Sequence, residues 1–471
     1  MSEKVELKAK KVMEWTCGTL KYNWKSLTKV WFFSMLGTLA LNLMVYSLVP
    51  SLMPRILDHW KIDALRISLI MSTIPQILNM CINPVLSTWS DKVRSRWGRR
   101  IPFVVISAPL LVLMMMLIGY HESIVPAFQK MTGWEMTEAA FWILCIITVV
   151  YQIFYLVPGA IQCYVAPDVI PKSFIGTYYG VVSLFGNLMG FAFNLWILPR
   201  ADVAPKFWFG VIGVFYLVSM ALQFLFVKEG KYPPNEKHEG GNVFVVIWKY
   251  VAAYAYECWS QPIYLCIFVA SGVTAASTLV RSTFNVLFAT NELGLTMTQY
   301  GQVFAYTSLV GAIISIPVGL IMDKKCHPLI IYFLSGVAVV IFNAWAYYYI
   351  KDYKTFYVAG VVIAVTYVVQ NAASTPLLLR VVPNEKFGQF GSAGAIINCI
   401  ICAVAGGVGG WLTKLYGYRM IFIWDFAVTL LSLVFMVMLW FMIKSNEKAN
   451  GGKYIPPRPW LHGAILINTN D

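Results

Sequence analysis

The stretch that decides the fold is Asn83-Pro84-Val85-Leu86-Ser87-Thr88-Trp89-Ser90-Asp91-Lys92-Val93-Arg94-Ser95-Arg96-Trp97-Gly98-Arg99-Arg100-Ile101-Pro102-Phe103. Apolar sequence flanks it on both sides, which predicts a short basic loop between two helices. Gly98 permits a backbone conformation that is closed to other residues, and we expect Asp91 to pair with Arg94 or Arg99. Because the acid, the glycine and the arginines are combined in one short loop, we expect it to do more than set the orientation of the chain.

The composition on either side of this loop places the chain in a membrane. Of the 471 residues, 59% are hydrophobic and only 12% are charged, whereas about 25% are charged in soluble domains. A soluble protein of this size cannot bury so much apolar surface, and the low charge with many aromatic residues excludes intrinsic disorder. The sequence therefore predicts an all-α polytopic membrane protein.

A helix needs about 20 apolar residues to cross the bilayer, and the sequence contains twelve such segments. They lie at 28–50, 64–88, 101–119, 139–161, 175–197, 207–227, 260–288, 299–322, 328–349, 355–378, 388–412 and 419–443. Several of these apolar runs are broken by prolines, at Pro84, Pro158, Pro171, Pro376 and Pro383. Such breaks are common in transporter helices, where neighbouring helices and water satisfy the freed backbone groups.

The distribution of charge sets the topology. Although the net charge is +14, Lys and Arg lie in short segments between apolar runs, which argues against a nucleic-acid partner and follows the positive-inside rule. Both termini are therefore predicted to be cytoplasmic, in the plasma (inner) membrane. The predicted regions are an amphipathic segment 1–27, a bundle 28–227, a linker with an interfacial helix 228–259, a second bundle 260–443 and a tail 444–471.

The two halves of the chain resemble each other. Pro84 precedes an acid at the inner end of helix 2, and Pro317 precedes Asp323 at the inner end of helix 8. The segment 171–176 is likewise similar to 383–388. A weak internal repeat in a twelve-helix chain is typical of transporters in which two bundles alternate access to a central site.

The basic loop resembles the loop between helices 2 and 3 of the major facilitator superfamily. Its pattern, Asp91 followed by Arg-Ser-Arg-Trp-Gly-Arg-Arg-x-Pro-Phe, is similar to that of the glycoside–pentoside–hexuronide:cation symporter family, which includes melibiose permease and is close to the sucrose transporters. The segment 37–43, Gly-Thr-Leu-Ala-Leu-Asn-Leu, resembles that family's Gly-Asp-x-Ala-x-Asn-Leu in helix 1.

This resemblance implies a major-facilitator fold, with twelve transmembrane helices in two pseudo-symmetric six-helix bundles. It also implies that the loop is part of a cytoplasmic gate whose ionic contacts break and re-form as the bundles rock. The gate residues implied are Asp91, Arg94, Gly98, Arg99, Arg100 and Asp323.

The sequence departs from the family where coupling ions bind. The two helix 2 carboxylates of the cation-coupled members fall on Asn79 and Asn83, and the helix 1 carboxylate falls on Thr38. The helix 4 carboxylate falls near Tyr155 or Leu156, and the helix 5 arginine that binds sugar in melibiose permease falls near Tyr179. Because an amide has no charge and does not titrate, the family's coupling site is missing or rebuilt, and the coupling ion, proton or sodium, stays open.

Arg281 is the one basic residue that falls well inside a predicted helix. A charge at that depth is costly and usually functional. Three alternatives are open: contact with the solute, pairing with Asp425 early in helix 12, or snorkelling of the side chain towards the outer face.

Amides are the commonest polar residues in the predicted helices. Gln76, Asn79 and Asn83 have the spacing i, i+3, i+7 and share one side of helix 2, which indicates a wet cavity or a neighbouring helix. Sugar sites combine amides with aromatic platforms. The predicted solute-binding residues are Asn42, Gln76, Asn79, Asn83, Tyr155, Tyr179, Arg281, Asn285, Gln370 and Asn371.

The sequence therefore predicts a secondary active or facilitative transporter of a small polar solute, a sugar or glycoside in the first place, bound in a midplane cavity. A lipid or lysolipid transporter and a non-transporting membrane sensor are the alternatives. An enzyme is not predicted, because the sequence shows no catalytic constellation within the helices. The sequence also shows no phosphate-binding loop, which argues against an ATP-driven pump. No cofactor and no metal is predicted, and the protein is expected to be a monomer whose partners are the solute and the lipid bilayer.

Replacement of the coupling carboxylates by amides predicts sodium-independent transport. Sodium prefers several oxygen ligands with at least one anionic, which Asn79 and Asn83 do not supply. Uptake of labelled solutes into proteoliposomes, measured at equal ionic strength with sodium or with potassium, should give the same apparent affinity. A clear sodium-dependent change in affinity would contradict this prediction.

Overall fold

The computed structural model describes residues 15–17, 19–92, 101–228, 254–324, 327–383 and 386–457. A short hairpin of strands β1 (Trp15–Cys17) and β2 (Leu20–Tyr22) precedes the helices. In the first half the helices are α1 (Trp24–Asn42), α2 (Val49–His59), α3 (Ala64–Ser68), α4 (Ile74–Lys92), α5 (Ile101–Gly119), α6 (His121–Thr132), α7 (Met136–Val169), α8 (Ile175–Ala192), α9 (Leu198–Val203) and α10 (Pro205–Phe226).

In the second half the helices are α11 (Pro262–Leu287), α12 (Met297–Lys324), α13 (Pro328–Tyr349), α14 (Tyr353–Val381), α15 (Phe387–Tyr416) and α16 (Met420–Ala449). Wider π-helical turns join several α-helices into longer rods without a break. They lie at Leu43–Leu48, Leu69–Thr73, Phe193–Ile197 and Phe288–Glu292, and a 3₁₀ turn covers Lys172–Phe174.

Local sequence explains where several helices begin and end. Asn23 caps α1 with a capping box. Its side-chain oxygen accepts from the backbone N–H of Ser26, and the Ser26 hydroxyl accepts from the backbone N–H of Asn23. Asp352 caps α14 in the same way. Gly417 (φ +82°) lies where α15 ends, since a glycine adopts a left-handed backbone at little cost.

The predicted all-α membrane fold is confirmed. Among the described residues, ten helices are long and apolar enough to cross a membrane. Helices α5 and α6 are bent by 82° relative to each other, and if this pair is counted as one span the number is eleven. This count is roughly consistent with the twelve predicted helices; α12, which has 28 residues, is a further long helix. The predicted limits of two helices, 101–119 and 328–349, coincide with α5 and α13.

The prolines act in two different ways. The helices continue through Pro84, Pro158 and Pro376, as membrane helices do when neighbours satisfy the freed carbonyl groups. At Pro171 and Pro383, by contrast, α7 and α14 have already ended, because a residue before proline is pushed out of the helical region. These two corners are equivalent in the two halves.

The described part of the chain divides into two compact units. The first contains residues 1–62 with 81–235, and the second contains 63–80 with 236–471. Residues 63–80 group with the second unit because α3 and the π turn after it pack against α15. The predicted bundle limits, 28–227 and 260–443, stay a prediction.

Within the first unit, α10 packs against α1 and α5, and α5 packs against α7. A reciprocal amide pair crosses this unit: Gln162 donates to Gln223 at 2.9 Å and Gln223 donates back at 3.0 Å. A Cβ atom added at Gly37 would lie 1.7 Å from Gln223 Oε1. The amide pair thus occupies the space that a side chain at position 37 would need.

Within the second unit, α11 is central and packs against both α15 and α16, while α13 bridges α14 and α16. At one end of these helices, Arg419 pairs with Glu292 and donates to the carbonyl oxygens of Tyr347 and Ile350. These contacts tie the ends of several helices together and leave the middle of α11 to hold the polar residues described below.

Small residues let α3 and α15 approach closely inside the second unit. A Cβ atom added at Gly410 would lie 2.4 Å from Ser68 Cβ, and one added at Gly406 would lie 2.8 Å from Ser72 Cβ. The Ser68 hydroxyl donates to the Gly406 carbonyl oxygen at 2.6 Å. Small residues with hydroxyl–backbone bonds are a common way for membrane helices to pack.

Both ends of the described chain are held against these helices. In the second unit, the C-terminal segment 450–457 follows α16, where Tyr454 donates to the Val381 carbonyl oxygen at 2.8 Å and Tyr264 donates to that of Pro457 at 2.7 Å. In the first unit, the Cys17 thiol lies 3.5 Å from the Ile170 carbonyl oxygen. Each terminal segment therefore covers the end of the helix that precedes one of the two equivalent proline corners.

The close approach of α3 and α15 predicts that one methyl group at Gly410 destabilises the protein. Gly410→Ala forces its Cβ against Ser68 and should cost about 1–3 kcal/mol, seen as a lower Tm of the purified protein. Gly180→Ala is the matched control, because nothing lies within 4 Å of a Cβ atom there. An unchanged Tm in Gly410→Ala would contradict the close packing.

Candidate functional site

A buried carboxylate, Asp425, organises the polar interior of the second unit. It is fully buried and lies in the second turn of α16. Its Oδ2 accepts from Arg281 Nη1 at 2.8 Å, from Asn343 Nδ2 at 2.9 Å and from the Tyr367 hydroxyl at 2.8 Å. An ionised carboxylate accepts about four hydrogen bonds, so these three donors alone nearly satisfy it.

Two hydroxyl groups hold the other oxygen of the same carboxylate. Oδ1 accepts from the Ser277 hydroxyl, and the Thr429 hydroxyl lies 3.1 Å from it. The donors thus come from α11, α13, α14 and α16 itself. The carboxylate is thus surrounded by hydrogen-bond donors and one cation.

Arg281 is the cationic partner. Its side chain is almost fully buried, its Nη1 also donates to Asn343 Oδ1 at 2.7 Å, and its guanidinium carbon lies 5.2 Å from the centre of the Phe422 ring. Among the buried side chains of the described residues, Arg281 is the only Lys or Arg and Asp425 the only Asp or Glu. The pairing alternative for Arg281 is therefore what the structure shows.

A cavity of about 340 Å³ adjoins this network in the second unit. Fourteen residues line it, and half of them carry a hydrogen-bonding side chain: Thr278, Arg281, Ser282, Asn285, Thr307, Tyr367 and Asn371. The rings of Phe304 and Phe356 belong to the other, apolar half. Two members of the buried network, Arg281 and Tyr367, thus face the cavity as well.

The cavity brings together three of the ten predicted solute-binding residues, Arg281, Asn285 and Asn371. Asn285 Oδ1 is buried and has no hydrogen-bond partner among the described residues. An acceptor in this condition is costly unless water or a ligand meets it. Gln370 is fully buried and does not line the cavity.

Three of the predicted solute-binding residues in the first unit have described surroundings. The Tyr155 hydroxyl is 3.2 Å from that of Tyr46. Tyr179 is 45% exposed and packs its ring edge-on against Tyr178, with centroids 5.6 Å apart. Asn42 is half-buried at the end of α1.

The helix 2 amides are half-buried along α4. Gln76 and Asn79 group with the second unit and Asn83 with the first, and none of them lines the cavity described here. Their role in binding stays a prediction.

The predicted gate lies outside the described residues. Arg94, Gly98, Arg99 and Arg100 are not among the described residues. For Asp91 and Asp323 only the backbone is described, near the last turn of α4 and of α12. The gate is likewise still a prediction.

Sequence reasoning missed several members of the site. Asn343 and Ser277 complete the network, and Thr278, Ser282 and Thr307 line the cavity. Asn343 carried a usable signal, since it is an amide in the middle of a predicted helix. Serine and threonine carried none, because their hydroxyls bond to the preceding turn of any helix.

Comparisons with known proteins agree with this architecture. The model of the Major Facilitator Superfamily matches residues 35–405, with a second match over 267–469. A search of curated protein sequences finds no significant match.

Several solved structures have a similar fold. The nucleoside transporter NupG is 12% identical, with a TM-score of 0.62 over 89% of this chain and 99% of its own. A bacterial homologue of the human lysosomal transporter Spinster, inward-facing and unoccupied, is 11% identical, with a TM-score of 0.59 over 92% and 98%. A bacterial metal transporter is 11% identical, with a TM-score of 0.56 over 88% and 98%.

The buried pair predicts unequal effects of single and double substitutions. Arg281→Met leaves Asp425 without its cation and should destabilise the protein by about 3–5 kcal/mol. The double variant Arg281→Met/Asp425→Leu removes both charges and should recover most of that loss. Tm values of the purified variants test this; a double variant less stable than the single variant would contradict it.

Proposed function

We propose that this chain, which belongs to the Major Facilitator Superfamily, moves a neutral, hydroxylated solute across the membrane by alternating access. A sugar or glycoside is the first candidate. Members of this superfamily are transporters, which supports the expectation that the chain is not an enzyme. The observation that carries the proposal is the chemistry of the cavity in the second unit.

The cavity lining suits a ring that is polar at its rim and apolar on its faces. Asn285, Asn371 and the nearby hydroxyl groups offer both donors and acceptors, which sugar hydroxyls need. The rings of Phe304 and Phe356 supply apolar surface for the carbon-bound hydrogens. The volume of about 340 Å³ is at the lower end of small-molecule sites, roughly 300–1,000 Å³.

The charge balance of the cavity favours a neutral solute. Arg281 is the only charged residue among those that line it, and Asp425 compensates that charge at 2.8 Å. A charged solute would enter without a counter-charge, at a large desolvation cost. A neutral solute needs only hydrogen bonds, which the lining offers.

The remaining predictions complete the proposal. The resemblance to the glycoside–pentoside–hexuronide family supports sugar as the solute, with the helix 2 amides as further contacts. The loop 83–103 forms the cytoplasmic gate, and both termini lie in the cytoplasm of a monomer in the plasma membrane. Asp425 is committed to Arg281, and no carboxylate replaces the family's usual coupling site among the described buried residues. This is consistent with facilitated, sodium-independent flux.

Two alternatives predict different behaviour. A lipid or lysolipid transporter needs a continuous apolar slot, whereas half of the residues that line this cavity are polar. A membrane sensor would bind its solute and transport nothing in proteoliposomes. Because a nucleoside is chemically a glycoside, the likeness to NupG adds nucleosides to the set of solutes to be screened.

Loss of the cavity amides is expected to weaken solute binding. We expect a thermal-shift screen of neutral sugars, nucleosides, uronates and lysolipids to give its largest stabilisation with a neutral glycoside. Asn285→Ala and Asn371→Ala should each reduce affinity for that ligand about tenfold, as expected for one lost hydrogen bond to a polar ligand.

Asn450→Ala is the matched control, because Asn450 follows α16 at the other end of the helix from Asp425 and its side chain bonds locally to Asn446. Transport of the same ligand in proteoliposomes separates a transporter from a sensor. Stabilisation by lysolipids alone, or unchanged binding in both amide variants, would contradict the proposal.

A further inference from the structure

We propose that Asp425 determines which charge the transported solute carries: it neutralises Arg281 and thereby excludes anionic solutes from a cavity that would otherwise bind them. This inference deepens the proposed function and rests on the cavity as the solute site. It assigns a specificity-determining role to a residue that does not itself line the cavity.

Arg281 belongs to the cavity and to the buried network at the same time. Both of its hydrogen bonds use Nη1, to Asn343 and Asp425. Within the described residues, Nε and Nη2 donate to nothing, which leaves three N–H groups of the guanidinium. An arginine with unused donors beside a cavity is a ready site for a carboxylate, which it binds with two parallel hydrogen bonds.

What prevents such binding is the charge of Asp425 and not a lack of donors. With Asp425 ionised at 2.8 Å, the pair presents almost no net charge to the cavity. A second carboxylate would meet the repulsion of Asp425 in addition to the attraction of Arg281. At the short distances of a buried site these two terms are similar in size and largely cancel.

The surroundings of Asp425 allow its charge to be removed without breaking its hydrogen bonds. In Asp425→Asn, the amide oxygen can accept from Arg281, Asn343 and Tyr367 as Oδ2 does now. The amide nitrogen then faces Ser277 and Thr429, whose hydroxyls accept as readily as they donate. The substitution thus changes the net charge of the network from zero to +1 while its hydrogen bonds are kept. Because Arg281 is then buried without its anion, the variant should also be less stable than the wild type.

The negative charge that Asp425→Asn removes can be reintroduced at position 343 of the same network. Asn343 Oδ1 already accepts from Arg281 at 2.7 Å, so an aspartate at 343 would form the same ion pair from a different helix. The exchange Asn343→Asp/Asp425→Asn keeps one carboxylate and one amide in the network, and it removes the bond that Asn343 Nδ2 donates to the Val339 carbonyl oxygen at 2.9 Å. It therefore restores neutrality while the aspartate at 425 is absent.

The test compares glucose and glucuronate, which differ only in a carboxylate at one carbon, by thermal shift of the purified full-length protein. In Asp425→Asn the affinity for glucuronate relative to glucose should rise at least about tenfold over wild type. The exchange variant should return to the wild-type ratio. The double variant Arg281→Gln/Asp425→Asn, which lacks both charges, should show no gain.

Two results would overturn the inference. One is an unchanged glucuronate response in Asp425→Asn, and the other is an equal gain in the Arg281→Gln/Asp425→Asn double variant, which would place the anion elsewhere. If the single variant is recovered only in low amounts, its monodisperse yield in glucuronate against glucose replaces the thermal shift. Rescue by glucuronate alone supports the inference, and equal yields reject it.

Failure of the proposed function is distinguishable from failure of this inference. If wild-type protein binds no neutral sugar or nucleoside, the proposed solute class is wrong. The glucuronate response of Asp425→Asn and its two partner variants is still a direct measure of whether Asp425 keeps anions away from Arg281.

Discussion

A charge inside a membrane needs a partner, and the ion pair of Arg281 with Asp425 is the contact on which the second unit depends. Neither side chain has access to water sufficient to solvate it, so each is stable only in the presence of the other. The donors that surround the carboxylate come from four helices. The hydrogen bonds to Asp425 therefore fix the relative positions of these four helices. Apolar contacts between helices, by contrast, tolerate small shifts.

Elsewhere the helices are held by contacts that cost little in a bilayer. Lipid and protein interior are equally apolar, so burial alone does not drive one helix against another. Close approach at Gly406 and Gly410, hydroxyl bonds to backbone carbonyls and the reciprocal pair of Gln162 and Gln223 supply the attraction instead. Of the amides singled out in the sequence, Asn285 and Asn371 line the cavity described in the second unit.

The sequence predicts the helices well because the bilayer imposes one length and one polarity on all of them. It also identifies Arg281 and Asp425, since charges within the apolar segments are rare. It is less informative about which amide faces the cavity: Gln370 and Asn371 are neighbours about 100° apart on one helix, and only Asn371 lines the cavity. Periodicity alone does not fix the rotation of a helix that is apolar all round. Nor does the sequence show that 63–80 packs with the second unit, because that follows from contacts with α15.

The segment after α16 has a consequence for the order in which the protein is made. Tyr454 and Pro457 hold Val381 and Tyr264, residues that leave the ribosome long before them. These groups, with neighbours such as Val382 and Phe390, stay without this cover until residues 450–457 have been synthesised. A polypeptide released before that point would leave this part of the second unit exposed.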